Sequence, residues 1–132
     1  MRVNILLLVV AMVIAVVGVG VPSAQAIKPF KDAFVAKYVQ PDGHGPETKA
    51  FAAACKDAKC NICHAGKNKK NRNPYGQQLA KLLKKETDED NQEKINQALE
   101  QVAAMKADPN DAHSLTFGEL IRHGKLPGAK AK

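Results

Sequence analysis

From residue 28 onward, apolar positions recur at helical spacing, and no stretch alternates in the way a half-buried strand does. Phe30, Phe34 and Tyr38 fall every four positions, with Lys28, Lys31 and Lys37 largely off that stripe, which predicts an amphipathic helix over 28–40 packed on a core. Pro41-Asp42-Gly43-His44-Gly45-Pro46 is turn chemistry and ends it. An alanine-rich helix follows from Glu47 to His64. Pro74-Tyr75-Gly76 opens a third helix, whose apolar face is Leu79, Leu82 and Leu83 and which runs to about Lys85. An acidic connector, Glu86 to Asn91, leads into a fourth helix over 88–107. Ile95, Leu99, Val102 and Lys106 share its face, with Ala98 and Met105 on the shoulder. Asp108-Pro109-Asn110-Asp111 stops that helix, and Thr116-x-x-Glu119 is a capping box for the last one. Phe117, Leu120 and Ile121 form the apolar side of this final helix, and Gly124 closes it. The expectation is an all-α domain of four to five short helices without internal repeats.

The first 26 residues break this pattern. Arg2 precedes an apolar run from Ile5 to Val21, Pro22-Ser23 interrupts it, and Ala24-Gln25-Ala26 is an A-x-A cleavage site. That order predicts a signal peptide over 1–26, an exported mature chain from Ile27 and a periplasmic location. The competing reading is a membrane anchor formed by uncleaved residues 5–21. No Cys directly follows the run, so a lipid anchor is not expected. The remainder divides into one small domain over 27–124, with a modest core, and a flexible basic tail over 125–132.

Charge narrows the partners. Of the 20 basic residues only Arg2 lies in the leader, so 19 face 13 acidic ones in the mature chain, a net of +6. Such a balance suits an acidic partner and speeds encounter with it. Nucleic acid is a poor partner for an exported chain with few aromatics for stacking. Lys67, Lys69, Lys70 and Arg72 concentrate the charge in one loop, interleaved with Asn68, Asn71 and Asn73. The ordinary role of such a run is a solvated surface.

The chemistry sits just before that loop. Cys60-Asn61-Ile62-Cys63-His64 is a C-x-x-C-H run, the spacing of covalent c-type haem attachment. Two thiols on one turn can each add to a vinyl group of a single porphyrin, and the following imidazole, His64, can bind the iron. A bare C-x-x-C is shared with redox dithiols and zinc knuckles; the added His in an exported chain makes the pattern specific. The third cysteine, Cys55, lies five residues earlier, about 140° around a helix. Its expected role is a small buried hydrophobe, with an intermolecular disulfide as the alternative.

These features resemble a small monohaem cytochrome c of class I type: leader, C-x-x-C-H after an N-terminal helix, a late Met and a closing helix. The likeness covers residues 47–124, and its specific part is Cys60-x-x-Cys63-His64. It implies a helical fold around one haem c, thioether bonds from Cys60 and Cys63, and His64 as proximal ligand. It also implies one-electron transfer between redox partner proteins, without an enzymatic activity of its own. Met105, which lies 41 residues after His64, is the expected distal ligand and the one Met left after cleavage. A thioether raises the potential, as suits an electron carrier. Core filler is the other reading of Met105; His113, His123 and His44 are rival ligands. The sequence departs from the family in its lysine- and asparagine-rich segment after His64, and in a Met placed at a helix end rather than in an extended loop.

Two other functions compete. One is a haem-based sensor or ligand-binding protein with an open or His-ligated distal face. The other is a structural zinc module using Cys55, Cys60, Cys63 and His64, whose four ligands crowd into ten residues without a second, distant knuckle.

Overall fold

A computed structural model describes residues 28–129 except 41, 43 and 44. The expected leader and His44 therefore lie outside the described residues. Among those described, the chain is all-α, with no strand and two isolated antiparallel bridges. The helices are α1 (Lys28–Tyr38), α2 (Pro46–Ala58), a 3-10 turn (Lys59–Ile62), α3 (Pro74–Leu82), α4 (Lys85–Asp88), α5 (Gln92–Ala103) and α6 (Phe117–Arg122).

The central element is α5, which packs against α1, α3, α4 and α6. Its buried residues are Ile95, Ala98, Leu99 and Val102, the i, i+3, i+4, i+7 stripe of an amphipathic helix. Burying each of the three larger ones contributes about 1.5–3 kcal/mol. The aromatic stripe of α1 meets this face: Phe34 is buried, Phe30 and Tyr38 pack partly buried against the core. Tyr38 donates to the Leu99 carbonyl at 3.1 Å, and Lys37 pairs with Glu100 at 2.7 Å.

Three expected boundaries move. The helix begun at Glu47 does not reach His64; it stops at Ala58, and Lys59 turns the chain with a φ of +51°. A non-glycine residue in that region holds only where its surroundings impose it. The expected connector over 86–91 carries α4, and the helix expected over 88–107 begins only at Gln92. Asp88 closes α4 on itself by accepting from the Lys84 N–H, and Asn91 then caps α5 by accepting from the Lys94 N–H at 3.0 Å. At the other end α5 stops at Ala103, because the following backbone is drawn into a bridge with the approach to α6. There the Phe117 N–H donates to the Met105 carbonyl and the Ala107 N–H to the Leu115 carbonyl, both at 2.9 Å. Lys106 and Met105 are thus off the helix, and the buried face ends at Val102.

The capping box at Thr116 and Glu119 is formed as the sequence predicts, and Gly124 turns the chain after α6 with a φ of +68°. The expected loose tail does not begin at 125. Pro127 is fully buried, Leu126 packs on the core, and Gly128 presses on the Asn73 side chain. Residues 130–132 lie outside the described residues.

Candidate functional site

Cys60, Asn61 and Ile62 form the 3-10 turn, with Cys63 as its C-cap and His64 next. The Cys63 and His64 N–H groups both donate to the Cys60 carbonyl, at 3.2 and 3.1 Å. Ile62 points into the core and is fully buried, so the turn is anchored from within. All three cysteines are free thiols. Cys60 and Cys63 are half-buried, whereas Cys55 is a core residue, as expected.

The cationic loop folds back over this turn. His64 and Arg72 form an antiparallel bridge, with the Ala65 N–H donating to the Asn71 carbonyl at 2.9 Å and the Asn73 N–H to the Cys63 carbonyl at 3.1 Å. Lys67, Lys69, Lys70 and Arg72 are all exposed on the loop so closed. Lys69 extends its ammonium onto the Cys60 sulfur. The charge run is solvated, and it also borders the thiols.

Asn73 joins the loop to the turn. It caps α3 by accepting from the Gly76 N–H at 2.9 Å. Its Nδ2 donates to the carbonyls of Ile62, Asn61 and His64 at 2.9, 3.1 and 3.3 Å. Asn-Pro before an apolar run is a readable helix start. The three donations back to residues 61–64 left no mark in the sequence, and Asn73 was not among the expected site residues.

Two buried polar atoms here have no protein partner: His64 Nδ1 and the Tyr75 hydroxyl. His64 as a whole is half-exposed, so the imidazole is sealed on one side. Tyr75 is fully buried, its ring edge-on to Phe34 at 5.6 Å and to Phe117 at 5.3 Å. Burial pushes its phenol well above the usual range, with Cys63 and then Tyr38 adding to the shift. Burial also pushes the Cys63 thiol up to about 12, the neighbouring Cys60 contributing second.

The competing zinc reading finds no assembled site. Among the described residues no three His, Cys, Asp or Glu side chains gather to hold a metal ion, and Cys55 is turned into the core. The distal candidates among the described residues are all exposed. Met105 is 37% exposed, which removes the core-filler reading. It sits in a bend just after α5, its N–H donating to the Val102 carbonyl at 3.0 Å, one position before the bridge. Across that bridge the Met105 carbonyl accepts from the Phe117 N–H and the Ala107 N–H donates to the Leu115 carbonyl. Phe117 enters the core against Tyr75, while Met105 and Leu115 keep part of their surface outside. His113 and His123 are both exposed.

Among the described residues no helix is long and apolar enough to cross a membrane. Comparison of the chain with protein-family models, with curated proteins and with solved structures returned no match in any of the three.

Proposed function

We propose that this chain is an exported c-type haem protein and a one-electron carrier. The observation that carries the reading is the C-x-x-C-H run held as one anchored turn, with two free, half-buried thiols and an imidazole whose inner nitrogen is sealed. In this reading Cys60 and Cys63 hold the porphyrin through thioether bonds, and His64 is the proximal ligand. The haem, when bound, supplies the redox chemistry, and the chain sets its potential, access and docking.

Each remaining feature has a part in that reading. Met105, on the surface after α5, provides the distal thioether and favours the ferrous state. Lys67, Lys69, Lys70 and Arg72 raise the potential by placing positive charge beside the site. They also present the surface on which an acidic redox partner docks. The leader over 1–26 delivers the chain to the periplasm and leaves it there, cleaved after Ala26 and without stable membrane insertion.

The test is a visible spectrum of the protein exported in a host that has cytochrome c maturation machinery. The expected product begins at Ile27 by mass, and its colour survives acid–acetone extraction. Replacing Cys60 and Cys63 together by Ala should release the haem to the solvent phase. A colourless wild-type product, or haem extracted from it freely, would overturn the assignment.

A second reading is favoured by the exposure of Met105, whose side chain is not held by core packing. The distal face is then open and binds a small ligand. Rapid carbon monoxide binding to the ferrous protein distinguishes this from a carrier whose ferrous spectrum does not move.

A further inference from the structure

Asn73 is almost fully buried, yet it belongs to none of the roles above and is one of two polar residues in the core among the described residues. Its side chain uses both of its ends. The oxygen caps α3, and the nitrogen gathers carbonyls from three residues of the haem-binding motif. Its backbone N–H takes a fourth, that of Cys63. The turn therefore has few carbonyls free to reorient. The amide is enclosed by Gly128, where a Cβ would overlap the Asn73 carboxamide, and by the buried Pro127 beside it.

The conformation being held is not one the chain takes unaided. Lys59 enters the turn at a φ of +51°, and the helix hydrogen-bonding of α2 is broken there. Left to propensity, the alanine-rich segment would carry its helix on to His64. A helix ending at His64 would leave carbonyls 61, 62 and 64 without intrahelical partners; in the turn the Asn73 amide satisfies them. Partners that orient ligand-bearing residues matter nearly as much as the ligands themselves.

We infer that Asn73 is the positioning residue of the site: its carboxamide holds the Cys60–His64 turn in the form that accepts the haem, and Pro127–Gly128 closes over it. The inference rests on the haem reading above for what the turn accepts. It does not rest on it for the clamp itself.

The variants are Asn73→Asp, which keeps the cap acceptor and replaces the donating nitrogen with an acceptor, and Asn73→Ser, which keeps a shorter cap and adds no charge. Asn91→Ala, which removes the α5 cap far from the motif, is the control for general destabilisation. Two quantities are read on the full chain: hydrogen exchange of the Cys63 and His64 amides in haem-free protein, and the covalently loaded fraction after export. Both Asn73 variants should speed exchange at 63 and 64 relative to Leu99, and lower loading about tenfold. Asn91→Ala should do neither. Unchanged exchange in Asn73→Ser overturns the clamp, and equal loss of loading in Asn91→Ala overturns its positioning role. If the wild type takes up no haem, the functional proposal fails alone, because exchange at 63 and 64 still judges the clamp.

Discussion

Gly76 lies so close against the carbonyl of Cys63 that a Cβ at position 76 would overlap the oxygen. That oxygen also accepts from the Asn73 N–H at 3.1 Å, so it is fixed from two directions by the first turn of α3. The contact is backbone on backbone, and no side chain can rotate to relieve it. Gly76→Ala must therefore push α3 away from the motif. We expect a loss of about 1–3 kcal/mol, the usual cost of overpacking, read as a lower urea midpoint with an unchanged m-value. Haem loading should fall with it. A variant as stable as the wild type would show that α3 does not bear on the turn.

Cys60 and Cys55 should separate by accessibility in haem-free protein. Cys55 is only 3% exposed, inside the cluster of Phe34, Phe51 and Ile62, and burial pushes its thiol up to about 11. Cys60 is half-exposed beside Lys69. A maleimide should label Cys60 in the native state and reach Cys55 only on unfolding, with mass spectrometry reading the sites. Fast native labelling of Cys55 would contradict its place in the core.

What could be read in the sequence is what local patterns determine. The Ile95–Leu99–Val102 stripe, the Phe34 face of α1 and the Thr116–Glu119 box each arise from residues within two turns of one another, and all three stand as read. The motif Cys60–His64 was legible for the same reason. What escaped is set by distant partners. Nothing in Lys59 announces a positive φ, which goes with carbonyls taken by Asn73 from across a loop. The end of α5 is decided by Leu115 and Phe117 accepting and donating across a bridge, not by its own residues. Pro127 and Gly128 read as tail because their partner is Asn73, more than fifty positions away in the chain.

Asp88 was equally hidden, read as part of a solvated acidic connector, though it is 3% exposed. Its carboxylate accepts from the Lys84 N–H and the Lys94 ammonium, both at 2.8 Å, and from the Thr87 hydroxyl at 3.0 Å. These bonds, the Lys84 N–H first and Lys94 next, hold its pKa down from an ordinary 3.8 to about 2. A carboxyl depressed in the folded state contributes stability that is complete above its unfolded value and lost as pH falls toward the folded one. Urea midpoints should therefore be flat in this respect above pH 4 and should decline between about 4 and 2. Asp88→Asn should lower the neutral-pH midpoint and flatten that acid limb. An acid limb of unchanged slope in the variant would assign it to other carboxyls.

Met105 allows the sharpest separation of structure from function. It is one of two large apolar side chains left exposed among the described residues, the other being Leu115. Its backbone is what the bridge uses, through the Phe117 N–H donating to its carbonyl, so the side chain is free of structural duty. Met105→Leu should then change the stability of haem-free protein by no more than about 0.5 kcal/mol, as for an ordinary surface site. In loaded protein the same substitution should remove the weak far-red absorption of ferric iron bound to thioether sulfur, and lower the reduction potential. Leu115→Ala should leave that band in place, since leucine offers no ligand atom. If Met105→Leu keeps both the band and the potential, the distal face belongs to another group, and His113→Ala and His123→Ala would show which of the exposed imidazoles holds it.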